Sequence, residues 1–242
     1  MITALLVAVA IVAGLIASIV GFGVGSLLTP ALSLETGIKL AVAAVAVPHM
    51  VGAAIRLRSL RGHIDRRVLL RFGIASAAGG LAGALLHRWA GGALMTAVFG
   101  LLLAFSGLGE LTGWTGRIRF RGAGALAAGS LSGLLGGLVG NQGGIRSAAL
   151  LGFDLSRERF VATATAIALL VDAARLPVYI WTEGARMLKI WPLMAWITAG
   201  VAIGTLVGRQ LLDRIPEKAF RRTVGVLVLL LGLYMVFRAF TR

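Results

Sequence analysis

Gly21-Phe22-Gly23-Val24-Gly25 and Gly140-Asn141-Gln142-Gly143-Gly144 interrupt two long apolar stretches and lie 119 residues apart in a chain of 242. Glycine permits backbone conformations that unwind a helix. In a membrane-length segment, that leaves N–H and C=O groups that only protein, a cavity or a ligand can satisfy. The two runs therefore read as paired breaks in membrane helices that form one transport site.

The surrounding composition agrees. Hydrophobic residues make up 58% of the chain, charged residues 14%, and mean hydropathy is +0.93. Apolar blocks run near 2–34, 38–56, 68–87, 92–111, 122–152, 160–181, 190–212 and 223–240, the first and fifth containing the breaks. An uninterrupted helix of about 30 residues would be about 45 Å long against a hydrocarbon core of about 30 Å, so each broken block is expected to turn back as a re-entrant hairpin. The opening segment has no basic residue before its apolar run and reads as mature structure, not a signal peptide.

Outward from the breaks, the chain reads as a duplication. With Gly21 laid on Gly140, Gly25 falls on Gly144, Glu35 on Asp154 and Arg56 on Arg175. Small shifts bring Gly79 and Gly83 onto Gly200 and Gly204, and Gly100 and Gly107 onto Gly225 and Gly232. The expected halves are 1–118 and 119–242, each a glycine-broken segment followed by three transmembrane helices. Three full spans per half invert the second half relative to the first.

Loop charges test that topology. If all eight blocks cross, Lys and Arg divide 13 to 9 between the two sides; if the broken blocks are re-entrant, they divide 16 to 6, with Arg146 and Arg175 set aside. The second split follows the positive-inside rule better. The same rule accounts for the net charge of +15 without a nucleic-acid partner, because the arginines sit in short loops between apolar blocks. Cysteine is absent and the three histidines are far apart, which argues against a metal centre. No cofactor is expected. Walker-type phosphate loops and catalytic Ser/His/Asp spacings are missing, so the sequence reads as neither an enzyme nor an ATP-driven pump.

The Gly-Phe-Gly-x-Gly run, its glycine-rich counterpart in the second half and the basic loop after the second span resemble the TauE/SafE family of membrane permeases. The resemblance covers nearly the whole chain. It implies duplicated three-helix modules and export of sulfite or small organosulfur anions, coupled to protons. The second break departs from the family pattern: Asn141, Gln142 and Arg146 intervene, and Ala149 stands where the first half has Pro30.

The residues themselves suggest an anion site. A helix restarting after a glycine turn directs free N–H groups and a positive dipole end into the space it faces. Gly21, Gly23, Gly25, Gly140, Gly143 and Gly144 supply the two turns. Asn141 and Gln142 add amide donors, and Arg146 adds a guanidinium fork suited to a small oxyanion. Thr165, Asp172 and Arg175 share one face of the next span at spacings of seven and three. Arg175 reads as a further counter-charge, and Asp172 as either a titrating group or the ion-pair partner of Arg175. His49, on one face with Arg56, is the second candidate for proton coupling. Gly79/Gly83, Gly133/Gly137 and Gly200/Gly204/Gly208 are small-xxx-small packing surfaces, and the tryptophans near block ends are interfacial anchors.

The expectation is an all-α polytopic protein in the plasma (inner) membrane of a prokaryote, moving a small anion such as sulfite or an organosulfonate by alternating access, with protons as a possible coupling ion and lipids as neighbours. An anion-selective channel built on the same breaks stays open as the alternative, and a substrate-free scaffold is a third reading.

Overall fold

The computed structural model describes residues 1–114, 120, 122–141, 143–211 and 217–241. Among them every regular element is helical: α1 (Ile2–Val20), α2 (Val24–Thr36), α3 (Ile38–Leu60), α4 (Arg66–His87), α5 (Gly92–Thr112), α6 (Ala123–Val139), α7 (Gly143–Leu150), α8 (Arg157–Lys189), α9 (Trp191–Leu211) and α10 (Glu217–Thr241). Seven of them, α1, α3, α4, α5, α8, α9 and α10, are long and apolar enough to cross a membrane; α6 is a shorter apolar helix. The chain is an integral membrane protein.

Both glycine runs interrupt helices. Gly21 (φ +87°) ends α1, its N–H bonded to Ala17 O, and Gly140 (φ +79°) ends α6 in the same way on Gly136 O. An L side chain is strained in that left-handed region, which is why the helices stop at these glycines. The arms are unequal. The first block divides into helices of 19 and 13 residues, and the second into 17 and 8. The breaks therefore lie well past the middle of their blocks, because the apolar run before each glycine cluster is the longer one.

Other boundaries follow from local chemistry. Asp65 caps α4, its carboxylate accepting from Val68 N–H at 3.0 Å, and the first turns of α4 are π-wound over Leu69–Gly73. Ser156 caps the 33-residue α8. Pro48 and Pro177 lie inside α3 and α8.

The closest helix pairs are α5 with α10, α4 with α6, α1 with α9 and α3 with α8. Glycine permits the first three. A Cβ on Gly204 would stand 1.9 Å from Ile11 O, and one on Gly208 2.8 Å from Leu15 O, so α1 and α9 run parallel with backbones in contact. A Cβ on Gly79 would stand 2.1 Å from Ser130 O, and one on Gly83 2.0 Å from Leu134 O, making α4 and α6 a second parallel pair. Gly100 meets Gly232 while Gly107 meets Gly225, so α5 and α10 are antiparallel. The small-xxx-small surfaces are occupied by helix packing, the interaction that replaces hydrophobic burial inside a bilayer.

The interior repeats this pairing. One buried apolar cluster joins α1, α2, α3 and α9 through Ala10, Leu28, Ala44 and Val201. Another joins α6, α7, α8 and α4 through Ala128, Leu150, Ile167 and Phe72. Trp89, Trp181, Trp191 and Trp196 are exposed, and the Arg88 guanidinium lies about 5 Å from the rings of both Trp89 and Trp181. All four face outward, as interfacial aromatics do.

Candidate functional site

The two breaks touch. A Cβ on Gly25 would stand 2.7 Å from Gly140 O, and one on Gly143 would stand 2.7 Å from the Phe22 side chain. Each break thus fills the space left by glycine in the other. Gly144 is pressed against Ser106 of α5, and Gly23 against Ile16, whereas Gly21 faces open space. Of the six glycines in the two breaks, all but Gly21 are thus in close contact with other parts of the chain. What remains for chemistry at the breaks is the first turn of α2 and of α7, with the N–H groups that no helix turn satisfies.

Arg146 projects from that first turn of α7 and is 2% exposed; its Nε and Nη1 are buried with no hydrogen-bond partner among the described residues. Asn141, in the break itself, is 5% exposed with Nδ2 equally unpartnered. Gln142 lies outside the described residues. Thr165, two turns before Asp172 on α8, is buried with an unbonded hydroxyl.

Asp172 is fully buried and accepts on both oxygens. His49 Nδ1 lies 2.6 Å from Oδ2, and Arg175 reaches Oδ1 with Nε at 2.9 Å and Nη2 at 2.7 Å. The carboxylate only accepts, so His49 Nδ1 carries the proton in this contact. The i,i+3 pair on α8 was foreseeable from spacing; the tie from Asp172 across to α3 was not. The remaining nitrogen of the Arg175 fork, Nη1, donates to Gly136 O.

That last bond belongs to a set that carries no sequence signature. Three consecutive carbonyls in the final turn of α6 accept from side chains: Gly136 O, which also takes the Gly140 N–H, from Arg175, Gly137 O from the Tyr179 hydroxyl and Leu138 O from His87 Nδ1 at 2.8 Å. His87 is fully buried and its ring lies 5.0 Å from that of Tyr179. Arg175 is thus committed twice, to Asp172 and to the end of the broken helix.

Arg56 is a further buried cation, 7% exposed, with Nε and Nη1 lacking partners among the described residues. Arg56, Arg146, Arg175, Asp172 and His49 are close enough for their charges to interact. The cluster holds three guanidiniums against one carboxylate. A groove of about 410 Å³ between α1, α2 and α10, lined by residues such as Val9, Leu27, Pro30 and Tyr234, contains none of these groups and has an apolar wall.

No curated protein and no solved structure matches the chain. The family described as Sulfite exporter TauE/SafE matches over residues 6–235. With seven membrane-length helices among the described residues and that match spanning nearly its full length, the chain belongs to the sulfite exporter TauE/SafE family of membrane transport proteins.

Proposed function

We propose that the protein is a secondary transporter that exports a small sulfur oxyanion, sulfite or an organosulfonate, by alternating access around a site where the two breaks meet. The observation that carries this reading is the surplus of buried positive charge: Arg146 has unbonded donors at the start of α7, next to unbonded Asn141, in a cluster with a single carboxylate. A buried charge without a partner is costly, and a ligand anion supplies the partner. Helix N-termini and guanidinium forks both suit an oxyanion.

The packing directions support an inverted repeat. Under the correspondence of Gly100 with Gly225 and Gly107 with Gly232, the contact of Gly100 with Gly232 maps onto that of Gly107 with Gly225. Equivalent helices that pack antiparallel are related by a two-fold axis perpendicular to them, hence one lying in the membrane plane. The pairs α1–α9 and α6–α4 exchange under the same operation, and both are parallel. Because equivalent breaks touch each other, they straddle that axis, which favours a site near mid-depth.

The directions also favour re-entrant breaks. If consecutive spans alternate from α3 to α5 and from α8 to α10, the antiparallel α5–α10 contact gives α3 and α9 one direction. Parallel packing gives α1 that direction too. Then α2, lying between α1 and α3, returns the chain to the side it came from. The groove in which Ala8 and Val12 of α1 face Leu27 and Leu34 of α2 fits such a fold-back. Proton coupling through Asp172 and His49 is part of the reading, the carboxylate being shared between an imidazole and a guanidinium.

Proteoliposome flux tests it. Sulfite loaded on the far side should accelerate labelled sulfite uptake, as in a carrier; a simple pore shows no such trans-stimulation. Arg146→Ala should abolish transport, and Arg146→Lys should retain part of it, because charge survives while the bidentate fork is lost. Equal and mild effects of the two substitutions would refute direct coordination.

A further inference from the structure

Arg56, like Arg146, is buried with guanidinium donors that have no partner among the described residues. It lies seven residues after His49 on α3, hence on the same helix face. Gly52, one turn earlier, is pressed against α9: a Cβ there would stand 2.9 Å from Val201 Cγ1 and 3.3 Å from Thr205 Oγ1 of α9, with Arg56 Nη1 at 3.8 Å. Thr205 is 2% exposed, and its hydroxyl is as unbonded as the guanidinium. Two donors from different helices are therefore buried beside Gly52, without hydrogen-bond partners among the described residues.

The acids decide what these donors await. Asp172 has both oxygens engaged, Oδ2 by His49 and Oδ1 by Arg175. Glu183, the other acid buried among the described residues, is paired with Arg186 at 2.8 Å and lies about 16 Å farther along α8. Arg175 is satisfied by Asp172 and Gly136 O. Among the described residues, Arg56 and Arg146 are thus the two members of the cluster whose charge has no dedicated partner.

We infer that Arg56 is a second substrate-contacting residue, opposite Arg146, and that the site is built for a solute carrying two negative charges, one for each guanidinium. Thr205 and Asn141 supply neutral donors at its edges. A monoanion neutralises one arginine and leaves the other buried and uncompensated, so the protein discriminates against it through the cost of the unpaired charge. The inference rests on the anion-transport reading and adds to it both a residue and a charge class.

The test compares methanedisulfonate with methanesulfonate, which share the sulfonate group and differ by one, and adds sulfate as a compact dianion. Binding to the purified full-length protein in detergent is measured by calorimetry and thermal shift. Methanedisulfonate and sulfate should bind at least about tenfold more tightly than methanesulfonate. Arg56→Gln should remove most of that preference by weakening the dianions while leaving methanesulfonate within about twofold; Arg56→Lys should keep the preference with weaker binding. Equal wild-type affinity for the one-charge and two-charge sulfonates overturns the inference and leaves anion transport standing, and this comparison requires no variant to fold. Equal weakening of all three anions by Arg56→Gln also overturns it. Failure of every anion to bind sinks the transport reading and this inference together.

Discussion

Asp172 sits between His49 and Arg175, and its replacement strands both. Asp172→Asn keeps the shape but removes the charge that holds the Arg175 fork, leaving three buried guanidiniums without a carboxylate. Breaking a buried pair from one side costs about 3–5 kcal/mol. The melting temperature of Asp172→Asn should therefore fall by several degrees, and the double variant Asp172→Asn/Arg175→Gln should recover part of the loss, as read by thermal unfolding in detergent. No recovery in the double variant would mean that Arg175 matters chiefly for holding Gly136 O. At this scale, some of the site was legible in the sequence. The i,i+3 spacing exposed Asp172 with Arg175, and Arg146 stood out as a cation inside an apolar block. The bond from His49 to Asp172 spans 123 positions, and no local pattern announces it. Arg56 was visible as an intramembrane arginine and as the counterpart of Arg175. Its unbonded state depends on which acids are already engaged, which only the packed structure reveals.

Among the elements, glycine sets how closely helices approach, so the strongest tests are matched substitutions. Gly83 and Gly204 occupy corresponding places in α4 and α9, and a Cβ on either would lie about 2 Å from a carbonyl oxygen of α6 or α1. Backbone atoms have no rotamer to retreat into, so Gly83→Ala and Gly204→Ala should each destabilise by about 1–3 kcal/mol. Gly91→Ala, where nothing lies within 4 Å, should leave the melting temperature unchanged. A tolerated Gly204→Ala beside a damaging Gly83→Ala would argue against equivalent roles for the two helix pairs. The small-xxx-small spacing made these faces readable in advance, because it reports directly on packing. The caps on α6 were hidden for the opposite reason. Their acceptors are backbone carbonyls, identical at every residue, so nothing in the identities of Gly136, Gly137 and Leu138 points to Arg175, Tyr179 and His87.

For the whole molecule, the re-entrant reading predicts that α1 and α2 together return the chain to the side where it began, and the absence of native cysteine makes that directly measurable. Single cysteines at Thr3, Glu35, Gly62 and Gly91, all exposed positions, report which side each reaches when intact cells are treated with a membrane-impermeant maleimide. In the re-entrant arrangement Thr3, Glu35 and Gly91 share one side, and Gly62 lies opposite with the arginine-rich loops, which positive-inside bias assigns to the cytoplasm. Lys39 supports that grouping, since its Nζ donates to Arg88 O and so ties the start of α3 to the end of α4. Arg238 near the end of α10 likewise reaches Ser33 near the end of α2. Thr3→Cys, Glu35→Cys and Gly91→Cys should therefore label from outside, and Gly62→Cys only after permeabilisation. Labelling of Thr3→Cys and Glu35→Cys from opposite sides would make the first block a complete crossing. The halves would then no longer be inverted, and the two breaks would lose the axis that sets them near mid-depth.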